Sequence, residues 1–270
     1  MNDIDYLQPQ YDISSDDLGF SKMMVDMGVN EEYLQDLTNK QDDRIDIELD
    51  LVEVSDSDIN GKGIITKNVI KKGEIAGVAN TDRKRTQIGR YTNHSDKPNS
   101  IAKIVVDKMV FVATIDIPQK TEVTVDYRQV REIAIRLGRR LTIMDLYDQI
   151  AETEGHIVGH VDEEMVSHHF SDGVYAREYF LKKGDVVVGK IHRHNHIAMM
   201  MQGKAKVFSE RGEIIMEAPH IWNSVAGERR AVFAIEDCIF VTIHPTDETD
   251  LDKIEEQVIA PDYEALEGLL

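Results

Sequence analysis

The sequence predicts a mainly β chain: a compact β-fold, a linking helix, then a second all-β domain. Three observations carry this. Residues 45–128 and 173–246 both show short apolar runs separated by Gly-centred turns, the pattern of short strands. Residues 129–154 place Ile133, Leu137, Leu141, Met144 and Ile150 at helical spacing, with Ile135, Ile143 and Leu146 beside them. A chain of 270 residues with 41% hydrophobic content supports two cores of ordinary size.

Composition narrows the function classes. The formal charge is −19, which repels phosphate backbones and excludes nucleic acid as a partner of the whole chain. The lone cysteine, Cys238, rules out an internal disulfide and a multi-cysteine zinc site. In the run AIEDCIFVTI it reads as a buried strand residue rather than a nucleophile. The N-terminal segment is acidic and has no apolar stretch, so no signal peptide is expected, and no apolar run approaches the ~20 residues of a membrane helix. A cytoplasmic setting without membrane contact follows as the expectation.

Five segments are expected in order. Residues 1–44 form an acidic arm with one or two short amphipathic helices between Asp16 and Leu37. Residues 45–128 form the first β domain. It opens on IDIELDLVEV, whose alternation suits a half-buried strand, and AKIVVDKMVFVATIDI reads as two strands around a turn near Asp107. Residues 129–172 form a helical linker, with a break near Gly138 and an irregular histidine- and acid-rich end. Residues 173–246 form the second β domain, a sandwich or barrel. Residues 247–270 form an acidic tail that starts as a short helix.

Three pieces of the first β domain stand out by order and spacing: Gly61-Lys62-Gly63; Arg90-Tyr91-Thr92-Asn93-His94-Ser95 with Pro98-Asn99; and Glu122-Val123-Thr124-Val125-Asp126-Tyr127. Together they resemble the SET-domain protein-lysine methyltransferases. The resemblance implies S-adenosylmethionine as methyl donor and a protein lysine as substrate, with the enzyme supplying mainly positioning. It assigns Gly61, Lys62, Gly63, Arg90, Asn93 and His94 to the donor and Tyr127 to the reacting amine. The sequence departs from the family in several places: the aromatic-x-G-E piece is not recognisable near Ala76-Gly77, the cysteine-rich flank of many members is absent, and two further differences touch the site. The insert between the GxG strand and the NHS segment is reduced to about a dozen residues around NTDRKRTQIG, and Val125 stands where the family places an aromatic.

The second β domain contains Gly189-Lys190-Ile191-His192-Arg193-His194-Asn195-His196, followed by Gly203. Alternate residues of a strand share a face, so His192, His194 and His196 are candidates for one side. This HxHxH pattern resembles the first metal motif of the cupins, and with it the domain resembles the cupin β-barrel. The resemblance implies one divalent metal such as Zn, Ni or Fe on His192, His194 and His196, with His244 or His220 as fourth ligand. Arg230 stands where the second cupin motif places a histidine. The rival reading is a polar or interface cluster. The KIHRHNH…GKAKVF…VTIH arrangement also resembles small cupin-like proteins of tailed bacteriophages, which would add the virion as a location.

Besides a metal-dependent dioxygenase or isomerase on the cupin-like domain, two functions stay open at this point. One is an S-adenosylmethionine-dependent protein-lysine methyltransferase with an accessory cupin-like domain. The other is a non-catalytic scaffold serving as a viral structural or protein-interaction module. A homo-oligomer is expected, because Met199, Met200 and Met201 make both faces of one strand apolar.

Overall fold

The computed structural model describes residues 44–152 and 165–266. The acidic-arm helices expected before residue 44 lie outside the described residues. The chain divides into two compact units, one of residues 39–141 and one containing residues 142–270.

In the first unit, one sheet has the order β1-β2-β8-β5, built from β1 (Val52–Asp56), β2 (Lys62–Thr66), β8 (Glu122–Val125) and β5 (Asn93–His94). A second sheet, β4-β3-β7-β6, uses β4 (Lys84–Arg85), β3 (Ile75–Thr81), β7 (Lys108–Ala113) and β6 (Ser100–Val105). Val106, with φ of 55°, turns β6 into β7, as the turn near Asp107 predicts. Ile64, Ile70, Phe111, Ile117 and Val123 are almost fully buried in one core. A short helix α1 (Gln87–Tyr91), capped by the Thr86 hydroxyl, lies close over β3. A Cβ at Gly89 would stand 2.1 Å from the Ala79 carbonyl oxygen, so only glycine permits that approach.

The segment 45–50 alternates in exposure as expected, but strand β1 begins only at Val52. The Gln87 side chain stands in for a partner strand there. It accepts from the Ile47 N–H at 2.9 Å and donates to the Ile47 carbonyl at 3.1 Å. A side-chain amide can satisfy one residue's backbone in this way but cannot propagate a ladder.

Helix α2 (Tyr127–Glu152) runs unbroken through Gly138, where a break was expected. One helical glycine costs only about 1 kcal/mol relative to alanine, and the flanking apolar faces outweigh it. Leu137 packs into the first unit's core. Ile143 and Leu146 pack with Phe208 and Ala231 of the second.

The second unit contains a five-stranded sheet of order β16-β13-β18-β10-β9: β16 (His220–Ser224), β13 (His196–Gln202), β18 (Cys238–Pro245), β10 (Val174–Leu181) and β9 (Val166–Ser171). Strand β9 falls where irregular chain was expected. Its exposed, polar sequence hides it from an apolar-run criterion, because an edge strand with little burial needs no apolar face. A four-stranded sheet, β11-β17-β14-β15, uses β11 (Val186–Val188), β17 (Arg230–Ala234), β14 (Lys204–Ser209) and β15 (Gly212–Glu217). Leu181, Met200 and Cys238 of the first sheet share a core with Ala205, Val207, Met216 and Ala234 of the other. The expected barrel is thus two sheets enclosing one core. A last pair joins β12 (Ile191–His192) to β19 (Ile259–Ala260), just after helix α3 (Leu251–Val258). The acidic tail therefore folds back onto its domain.

Candidate functional site

Two polar clusters stand where the sequence motifs point, one in each unit.

In the first unit, parallel pairing of β5 with β8 sets Asn93 beside Thr124 and His94 beside Val125. This brings the three motif pieces together. Asn93 is 7% exposed, and its amide nitrogen faces four acceptors: Ser57 Oγ at 3.0 Å, the Asn60 carbonyl at 3.2 Å, the Lys62 carbonyl at 3.1 Å and Glu122 Oε1 at 2.7 Å. Ser57 Oγ in turn donates to the Glu122 carboxylate, 2.8 and 2.9 Å from its two oxygens. That carboxylate occupies the space a side chain at position 63 would take, since a Cβ on Gly63 would lie 2.4 Å from Glu122 Oε1. Gly61 takes a left-handed φ of 52° in the turn. Lys62 points away and pairs with Asp56 at 2.6 Å in solvent.

His94 Nδ1 accepts from the Tyr127 backbone N–H at 3.2 Å, so in the neutral ring the proton sits on Nε2, 3.3 Å from Asp96 Oδ1. The Tyr127 ring lies 5.3 Å from the His94 ring. Tyr127 is 52% exposed, and its hydroxyl donates to the Thr92 carbonyl at 3.1 Å. Arg90 is held by Asp46 and lies over the Tyr91 ring. Of the seven residues assigned to methyl transfer, Asn93, His94, Tyr127 and the Gly61–Gly63 turn meet in one region; Arg90 is committed to Asp46. Ser57 is a member of this network that no motif singles out.

In the second unit His192, His196 and His244 converge. Their ring centroids are 4.0, 5.1 and 4.7 Å apart, and one nitrogen from each lies within 4.8 Å of the others. The register explains two of them. Ile197 pairs with Ile243, so His196 and His244 stand side by side on the inward face of neighbouring strands. His192 arrives from the separate β12–β19 pair. Residues 193–195 are not in a strand, so period-2 alternation fails across them: His194 is exposed and lies outside the trio. His220 sits two rows away on β16, opposite Met200. The trio is therefore His192, His196 and His244, with His244 a full member rather than an auxiliary ligand.

Burial sets the protonation of the trio. It pushes His192 down to about 2 and His244 down to about 4, each helped by a neighbouring histidine and by Arg177. His196 is lowered for the same first reason. All three are neutral at pH 7, the form that ligates metals. His192 Nδ1 is buried and has no hydrogen-bond partner. An orphaned nitrogen beside two other imidazoles is costly without a ligand and natural with a cation. The donor set therefore fits a transition metal that accepts imidazole nitrogen.

Residues 32–128 match the SET domain. Solved structures similar to part of the chain include cupin proteins. A cupin-2 domain protein from Shewanella frigidimarina is 12% identical, covering 40% of this chain and 98% of its own, with a TM-score of 0.27. A cupin superfamily protein from Desulfitobacterium hafniense is 16% identical, covering 35% and 94%, also at 0.27. Ectoine synthase from P. lautus is 12% identical, covering 41% and 82%, at 0.30. No curated protein matches the chain. No helix among the described residues is long and apolar enough to cross a membrane.

Proposed function

We propose that the cupin-like unit is a mononuclear transition-metal site held by His192, His196 and His244, and that the SET-like unit serves it as a protein-interaction scaffold. One observation carries the metal: His192, whose buried Nδ1 has no partner, belongs to a trio of imidazoles that offer one nitrogen each within 4.8 Å of one another. Such a metal would supply Lewis-acid polarisation of a bound oxygen. The chain's own residues fix the three nitrogens and keep them neutral. Three nitrogens and no carboxylate favour Zn, Ni or Fe over oxygen-preferring ions. Elemental analysis of tag-free protein tests this, with about one metal per chain expected. A content well below one, unchanged by His192→Ala with His196→Ala, would reject it.

A second reading, protein-lysine methylation with S-adenosylmethionine, draws on the match over residues 32–128 and on the meeting of Asn93, His94 and Tyr127. Against it stand the internal commitments of Asn93 and Glu122 and the exposure of Tyr127. Calorimetry with S-adenosylmethionine separates the readings: heat at millimolar donor favours methyl transfer, and its absence favours the scaffold.

A further inference from the structure

The inward face of the five-stranded sheet is arranged in rows by strand register. The row containing the histidines reads Tyr175, His244, His196, Ser224 across β10, β18, β13 and β16. The next row reads Arg177, Thr242, Ala198, Trp222. It has two large residues at its ends and two small ones between. Three strand spacings of about 4.8 Å separate the ends, so in the gap between Arg177 and Trp222 this sheet offers only the small side chains of Ala198 and Thr242. Below the gap lie Phe240 and Met200, both part of the apolar core. The opposite sheet contributes Arg230, whose guanidinium lies 5.2 Å from the Trp222 ring centre.

We propose that this gap binds a small monocarboxylate with an apolar body, with Arg177 as its charge partner and Trp222 Nε1 as a second donor, beside the three histidines. This site deepens the metal reading above and rests on it for the ligand's neighbour. Three features of the row support it. Trp222 Nε1 is a buried N–H with no hydrogen-bond partner. Arg230 is neutralised by Glu228 at 2.5 Å, whereas Arg177 makes no hydrogen bond or ion pair among the described residues. Arg177 is partly buried, and its planar fork matches the two oxygens of a carboxylate. One uncompensated cation suits a monoanion better than a phosphate dianion, with Glu228 close by. The apolar floor of Met200 and Phe240 takes the ligand's body rather than a second charge.

Trp222 is the chain's one tryptophan, so its emission reads this site alone. The test titrates the full chain with butyrate at constant ionic strength in chloride, and measures metal content on the same preparation. A saturable change in Trp222 emission is expected, weakened at least tenfold by Arg177→Gln and only partly by Arg177→Lys. Arg177→Gln should keep or raise the melting temperature, which a structural arginine would not do. If that variant does not fold, Ala198→Leu fills the floor with the charge intact and should abolish the response. A flat titration, or one unchanged in Arg177→Gln, overturns the site, and with about one metal per chain it does so while the metal reading stands. An Arg177-dependent response in a chain without metal upholds the site and sinks the metal reading. Tighter saturation by inorganic phosphate, with the same dependence on Arg177, overturns the carboxylate assignment.

Discussion

The Asn93 cluster and the His192 cluster look alike in sequence and differ in what their polar atoms do. Around Asn93 the amide, a hydroxyl, two carbonyls and a carboxylate answer one another within the protein. Around His192 an imidazole nitrogen, and one row further an indole N–H, are buried and unanswered. A self-satisfied cluster is structure, because every bond in it already stabilises the fold. A cluster with orphaned donors and acceptors is incomplete, and a ligand completes it.

The largest effect that would break this contrast is on metal content. His196→Ala or His244→Ala should take occupancy from about one per chain to near zero, while His194→Ala, at an exposed position, leaves it unchanged. Elemental analysis reads all three, and a loss with His194→Ala would show that the trio is misassigned. Next in size is stability. Asn93→Ala strips its partners of one shared donor and should cost about 2–4 kcal/mol in denaturant unfolding, more than a single exposed hydrogen bond could account for. By contrast His244→Phe should leave metal-free stability within about 1 kcal/mol, since it removes a buried polar group of similar size.

The third prediction is a pH dependence of the metal-free chain. The folded forms of His192 and His244 bind protons only near pH 2 and pH 4, whereas the unfolded chain binds them near the reference value of about 6.5. The unfolded state therefore holds more protons between those values. Stability should be flat above about pH 7 and fall as pH drops, on the order of 2–3 kcal/mol per pH unit between about 6 and 4. Unfolding curves that coincide at pH 7.5 and pH 5 would contradict the buried, neutral assignment. Smaller still is the effect of Tyr127→Phe. It removes one hydrogen bond from a half-exposed ring and should change stability by under about 1 kcal/mol. Should the methyl-transfer reading hold instead, Tyr127→Phe should abolish transfer and leave donor affinity unchanged. A final check concerns assembly: Ile221 is 68% exposed and Met201 54%, on β16 and the end of β13. If copies pair through that face, Ile221→Asp should shift light scattering towards the mass of one chain.

Much of the fold is legible in the sequence because its strands alternate and its turns carry glycine; β6 and β7 meet where AKIVVDKMVFVATIDI places them. What escapes does so for local reasons. Strand β9 is nearly all exposed, so no apolar signal marks it. Helix α2 tolerates Gly138 because cores on either side of that residue hold it. At the histidine cluster, alternation points to His194, but the break at residues 193–195 resets the phase and turns it outward. Arg177 and Trp222 carry no motif. The only sequence signals are the alternating Tyr175-x-Arg177-x-Tyr179 and the uniqueness of the tryptophan.

The β12–β19 pair makes the third histidine depend on a distant segment. His192 pairs with Ile259, and Arg193 beside it is gripped by carbonyls of Val258, Ile259 and Ala265. A chain cut after Pro245 would keep the strands that carry His196 and His244 but lose every one of those grips on residues 192 and 193. Removing the segment after Pro245 should therefore loosen His192 alone among the three.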